Sequence, residues 1–228
     1  MKQHGILALT VVVLGGIGGW ADPSYQGATG LFFAPTAEVT PLQGYSLGLF
    51  GDPGSLGHRN WYTFTYGIQE GLEVGLLKWN WDVGEGEATA LGAKLEVLSR
   101  QNGALQIAAG INNITEEKGG WVHIGGSNQT QVYVVGSRAL ATSRWARRKG
   151  IPAVKGHFGI IGGTPESNFF LGLEVPVVQG FTLIAENYNE QSNVGARIHF
   201  NARLSAHLAF INLADPDTII GVAFSEGF

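Results

Sequence analysis

The chain has 228 residues and a formal net charge of −4. Hydrophobic residues make up 44%, aromatic residues 11% and charged residues only 14%, with 35 glycines and no cysteine. The slight acidity argues against nucleic-acid binding, and the missing cysteine excludes disulfides, thiolate metal sites and lipid attachment. Beyond the first 21 residues no stretch has 18 consecutive apolar residues, which excludes a membrane helix and leaves a soluble β-sandwich or a membrane β-barrel.

Residues 1–21 read as an export signal. Lys2 supplies the positive start, Gly5 to Ile17 is apolar, and Gly19-Trp20-Ala21 places small residues where a signal peptidase cuts, so cleavage is expected after Ala21. The apolar run is shorter than the roughly 20 residues a helix needs to cross a bilayer, which argues against an uncleaved anchor. Residues 22–43 form a periplasmic or lumenal segment. This segment either enters a lumen as a plug or adds a short strand. Twelve following strands already return the chain to the periplasm, so parity disfavours the strand, and packing of Phe32 and Phe33 is its expected role.

From residue 44 to 228 one theme repeats: 8 to 12 residues with apolar side chains at every second position, then a short Gly, Asn, Asp or Pro cluster. Twelve strands are predicted, with ten as the lower count. They are Gly44–Gly51, Arg59–Gly67, Gly71–Asn80, Glu87–Leu98, Gly103–Asn113, Asn128–Ala139, Ala153–Gly163, Asn168–Val175, Gly180–Tyr188, Ser192–Phe200, Arg203–Ile211 and Asp217–Ser225. Connections after even-numbered strands are tight, whereas Asp52–His58, Trp81–Gly86 and Ile114–Ser127 are longer. Outer-membrane barrels show this asymmetry, with short periplasmic turns and longer external loops. The exception is Leu140–Pro152, whose Arg144, Arg147, Arg148 and Lys149 face either anionic lipid head groups, a periplasmic partner or solvent.

Alternation alone fits a sandwich as well as a barrel. Three features favour an antiparallel transmembrane β-barrel. The polar face is rich in glycine and carries single charges of both signs, as a crowded lumen requires. Trp61, Trp79, Trp81, Trp121 and Trp145 fall at strand ends or in connections, where amphipathic rings suit a membrane interface. The terminal Phe228 resembles the signal read by the barrel-assembly machinery, although Glu226 occupies a usually apolar position.

Two segments resemble a known family. Gly30-Leu31-Phe32-Phe33-Ala34-Pro35-Thr36-Ala37 followed by Gly44-Tyr45-Ser46-Leu47-Gly48 is similar to the opening of the YjbH family, and Leu183 to Tyr188 followed by Asn193-Val194-Gly195-Ala196-Arg197 is similar to one of its strand pairs. The family's Glu-Tyr-Asp-Gly turn is here Glu186-Asn187-Tyr188-Asn189. The resemblance implies an outer-membrane barrel of a Gram-negative-type bacterium taking part in exopolysaccharide export or assembly. Outer-membrane lipids, and with them a polysaccharide and periplasmic export proteins, are the partners it implies. The motif residues are Pro35, Thr36, Ala37, Glu186, Asn193, Gly195 and Arg197.

Strand parity places Glu73, Lys94, Glu96, Glu174, Glu186, Arg197, His199, Arg203 and His207 on the inner face. Such residues either grip a hydrophilic solute or pair with one another in a closed barrel. Glu186 and Arg197, on adjacent strands, are the first pair to test. The alternatives to polysaccharide export are a small general porin or closed structural barrel, and after these a lipid-modifying enzyme. Catalysis is not expected, because His157, His199 and His207 have no nucleophile and orienting partner by spacing. The six histidines show no metal-ligand spacing, and no cofactor is expected.

Overall fold

The computed structural model describes residues 22–53, 60–80, 87–99, 105–115, 129–141, 147–163 and 168–227. The expected export signal, Trp81, Trp121, Arg144, Trp145 and Phe228 lie outside the described residues. Twelve strands follow in chain order: β1 (Tyr45–Gly51), β2 (Asn60–Gln69), β3 (Leu72–Asn80), β4 (Glu87–Leu98), β5 (Gln106–Asn112) and β6 (Gln131–Ala141), then β7 (Val154–Gly162), β8 (Asn168–Val178), β9 (Phe181–Tyr188), β10 (Gln191–His199), β11 (Leu204–Ile211) and β12 (Asp217–Glu226).

Each strand pairs antiparallel with its chain neighbours, and β1 pairs with β12 from Tyr45↔Glu226 to Gly51↔Ile220, so the sheet closes into a barrel without an edge. Closure gives each strand hydrogen-bonding partners on both sides, the condition for β-structure in hydrocarbon. The period of two then sorts side chains to opposite walls. Leu47, Leu49, Leu91, Leu95, Val134, Ile160, Leu183 and Val222 point outward, each between 44 and 50% exposed. An apolar belt around a closed surface is matched by lipid rather than by water. The fold is therefore an antiparallel transmembrane β-barrel.

Some turns carry their reason in the backbone. The β2–β3 and β8–β9 connections contain Gly71 at φ +76° and Gly180 at φ +80°, a region that suits glycine. The two-residue turn Asn189-Glu190, where the chain departs from the YjbH pattern, has φ of 49° and 64°. Two positive φ values are what a tight hairpin between right-twisted strands needs, and Asn tolerates the first of them.

Residues 22–43 add no strand to the sheet. They enter the lumen at the end where β1 begins and β12 finishes, fold on themselves through bridges Pro23↔Thr29 and Gly30↔Pro35, and leave beside β2 through the Leu42↔Gly67 bridge. Residues 24–36 are buried throughout. The main hydrophobic core thus lies inside the barrel: Tyr25, Leu31, Phe32 and Phe33 of the segment pack with inward side chains such as Phe50, Trp61, Trp79, Phe170 and Tyr188.

Trp61 and Trp79, expected at the membrane interface, correct that expectation: both face the lumen at 1% exposure and are opposite each other in the β2–β3 register. Their position follows from phase. Trp61 is in step with inward Thr63 and Thr65, and Trp79 with inward Glu73 and Gly75.

Candidate functional site

The inner wall has two zones. Near the ends of β1, β2, β3, β7 and β8 where Phe50, Trp61, Trp79, Ile161 and Phe170 stand, it is apolar and aromatic; towards the opposite end it carries most of the inward charge. That second end bears the turns after even-numbered strands, the periplasmic side in barrels of this kind. The N-terminal segment reaches from the charged zone into the aromatic one. The Tyr25 ring lies 4.5 Å from that of Phe50 and 5.7 Å from that of Trp61.

The segment is held by four polar contacts. The first uses Glu73 and Lys94, register partners on β3 and β4. Their side chains are wholly buried and form an ion pair at 3.0 Å. Glu73 accepts from the backbone N–H of Thr29 at 2.9 Å and of Thr40 at 2.7 Å, while Lys94 Nζ donates to the carbonyls of Thr29 at 2.8 Å and Thr36 at 3.2 Å. Lys94 also donates to the Thr29 hydroxyl. A buried ion pair persists only when its remaining hydrogen-bonding capacity is filled, and here the segment fills it.

The second contact is Glu186 on β9. Its carboxylate accepts from three consecutive N–H groups: Phe32 at 3.2 Å, Phe33 at 2.9 Å and Ala34 at 3.0 Å. Asn193 on β10, opposite Glu186 in the register, donates a further bond at 2.9 Å. Successive N–H groups converging on one carboxylate form an anion nest.

The third contact is Arg197 on β10. It donates to the carbonyls of Gly30 at 3.0 Å and Leu31 at 3.1 Å, and pairs with Asp22 at 3.1 Å and with Glu174 on β8 at 3.4 Å. His199 Nε2 stands 3.3 Å from the same Asp22 carboxylate. Burial alone would push the Asp22 carboxyl up, but Arg197 and His199 more than offset it and hold it well below the usual carboxylate range.

The fourth contact is on β6 and β7. Ser137 Oγ accepts from the Ala37 N–H at 2.7 Å and meets His157 Nδ1 at 2.7 Å, and Lys155 pairs with Glu38 at 2.8 Å. Burial again acts upward on Glu38, and Lys155 with His157 outweighs it, bringing the carboxyl down to about 2.

Backbone fit brings the segment against the wall. A Cβ on Gly75 of β3 would stand 2.1 Å from the Gly27 carbonyl oxygen, and one on Gly67 of β2 would stand 1.9 Å from that of Pro41. Glycine at these two places lets the segment touch the wall. A cleft of about 240 Å³ remains at the charged end, with Asp22, Glu38, Lys155, Glu174, Arg197 and His199 in its walls.

The residues expected on the inner face are placed as follows. Glu73, Lys94, Glu186, Arg197 and His207 are buried inside the barrel, and Glu174 and His199 line the cleft. Glu96 is partly exposed near the end of β4. Arg203 is different: it precedes β11, its side chain is 59% exposed, and it pairs with Glu226 at 2.7 Å. Its backbone bonds β12 through Ser225, but its place in the β10–β11 connection puts the side chain at the exposed rim and not in the lumen. Glu186 and Arg197 do not pair with each other, because the β9–β10 register sets Glu186 against Asn193 and Arg197 against Thr182. Each grips the N-terminal segment instead. Pro35, Thr36 and Ala37 belong to that gripped segment, and the ring of Phe32 lies 2.6 Å from where a Gly195 Cβ would be. Asp22, Thr29, Glu38, Thr40, Ser137 and Lys155 were not singled out from the sequence. Inward phase was a usable signal for Ser137 and Lys155, whereas the four segment residues follow no strand period.

The closed sheet and the outward apolar belt around an inner wall that carries both aromatic side chains and buried charges define an outer-membrane β-barrel fold. No family model matches the chain, and no curated protein matches it. Among solved structures the chain is similar to the KdgM porin, with a TM-score of 0.55 and 11% identity over 81% of this chain and 99% of that one. It is also similar to the KdgM porin in complex with disordered oligogalacturonate, with a TM-score of 0.54 and 10% identity over the same shares. At such identities the likeness is one of fold.

Proposed function

We propose that this protein is a porin-type barrel of the Gram-negative outer membrane whose lumen is sealed by its own N-terminal segment, so that passage of a hydrophilic solute waits on release of that segment. The observation that carries the reading is the match between segment and wall: Glu73, Lys94, Glu186 and Arg197 each bond backbone groups of residues 29–40. A lumen charge without a partner would be costly, so the sealed state is the resting one. The oligogalacturonate complex of the KdgM porin supports an oligosaccharide as the class of solute.

Planar-bilayer recording tests this. The native chain is expected to be nearly silent, and a chain lacking residues 22–40 to conduct. A native chain that conducts as widely as the shortened one overturns the seal. A shortened chain that folds yet stays silent overturns the pore and leaves a closed structural barrel.

A second reading, export or assembly of an extracellular polysaccharide, has one specific support. The two segments that resemble the YjbH family meet in space, with Glu186 and Arg197 of one holding residues 30–34 of the other. Unchanged extracellular polysaccharide after deletion of the gene would end that reading.

A further inference from the structure

Among the described residues the cations fall into two sets. Lys78, Lys94, Lys155, Arg197 and Arg203 each have a carboxylate partner, at 2.7, 3.0, 2.8, 3.1 and 2.7 Å respectively. Arg138, Arg147, Arg148 and Lys149 are exposed and form no ion pair with any described residue. Arg138 is near the end of β6, and Arg147, Arg148 and Lys149 belong to the connection that joins β6 to its neighbour β7. The sequence from Arg138 to Lys155 contains no Asp or Glu that would neutralise them.

Arg138 belongs to the outward face of β6, between Gly136 and Leu140, and is opposite Gly156 of β7. Leu140 beside it is 58% exposed. On the same outer wall, running from β5 to β8, is a groove of about 690 Å³ with apolar walls that include Leu105, Ile107, Val134, Phe158, Ile160 and Phe169. Gly136 keeps this groove open. A Cβ there would stand 2.8 Å from the Phe158 ring and 3.2 Å from Leu105. Arg138, the next outward residue along β6, is roughly 7 Å further on at the strand rise.

We propose that this face binds an anionic glycerophospholipid of the periplasmic leaflet, with its phosphate on Arg138 and the Arg147–Lys149 turn and an acyl chain in the Gly136 groove. The occupant must be apolar along the wall and anionic at the rim. Arg138 is exposed on the outward, lipid-facing phase of β6, and an arginine there can lay its apolar stem along the wall and keep its charge at the head groups, which suits a lipid rather than a soluble acidic protein. The inference needs the barrel to be in a bilayer. It does not need the lumen to be sealed.

Native mass spectrometry of the full chain, released from nanodiscs containing equal phosphatidylglycerol and phosphatidylcholine, reads this directly. The native protein is expected to retain phosphatidylglycerol at least about tenfold over phosphatidylcholine, since each basic group near the surface adds to the preference. The variant R138Q/R147Q/R148Q/K149Q is expected to lose the preference, and R138K/R147K/R148K to keep it. G136L, which fills the groove and leaves the cations, is expected to lower retention of both lipids. Heat-modifiable gel mobility identifies the variants that fold. Equal retention by the native protein overturns the proposal, as does a persistent preference in the glutamine variant or undiminished retention in G136L. Binding of soluble polyphosphate through the same four cations, without a lipid preference, likewise overturns it in favour of a soluble partner.

Discussion

Glu186→Gln should unlatch the lumen by a calculable amount. Oε1 of the native side chain accepts from Phe33 at 2.9 Å and Asn193 at 2.9 Å, and Oε2 from Phe32 at 3.2 Å and Ala34 at 3.0 Å. Glutamine keeps one oxygen, now neutral and a weaker acceptor, and presents an amide where the other was; with its oxygen at the Oε2 position, which also accepts from Phe33 at 3.2 Å, only Asn193 faces a donor, and turned the other way Phe32 and Ala34 do. A buried donor left without an acceptor costs about 1–3 kcal/mol, which makes about 1.5 kcal/mol a working figure for the one donor lost in the better orientation. Nothing in the barrel's strand pairing depends on this carboxylate, so the loss falls on retention of residues 32–34. At about 1.4 kcal/mol per tenfold, the equilibrium between held and released segment shifts on the order of tenfold. The assay is open probability in planar bilayers, with heat-modifiable mobility run in parallel to show that the barrel persists. An intact barrel whose open probability stays within about twofold of the native value would refute the assignment of Glu186 as a latch.

Gly75→Val places a side chain against the Gly27 carbonyl, since even a Cβ there would be 2.1 Å away, so protease cutting of residues 22–43 should rise in a barrel that still shifts on heating. Lys94→Met leaves the Glu73 carboxylate buried without its cation, a loss of about 3–5 kcal/mol, and adding Glu73→Gln should recover part of it; thermal unfolding in detergent reads both. The pH response has a definite sign. Glu38 is lowered in the folded state from 4.5 to about 2 and Asp22 is lowered too, so their stabilisation is complete above the ordinary carboxylate values and is lost as pH falls through the folded ones. Channel opening or segment proteolysis should therefore stay constant from neutral pH down to about 4.5 and rise between there and about 2. A rise confined to pH 6–8 would refute the assignment to these two carboxylates.

The barrel was legible because a strand writes itself into sequence with period two, and lipid outside plus a crowded lumen inside keep the two phases chemically distinct over twelve repeats. The same phase placed Glu73, Lys94, Glu186 and Arg197 on the inner wall, and read to the ends of β2 and β3 it would have placed Trp61 and Trp79 there as well. What those charges touch was not legible. Residues 22–43 have no regular period, and their partners lie as much as 175 residues away, as for Asp22 and Arg197. Such contacts are set by register and closure, which decide that Arg197 is opposite Thr182 rather than Glu186. The sequence by itself thus determined a barrel with an ionic interior. Only the tertiary structure decided that this interior grips the chain's own N-terminal segment, because a folded, non-periodic segment finds its hydrogen-bond partners in three dimensions and not at any fixed spacing along the chain.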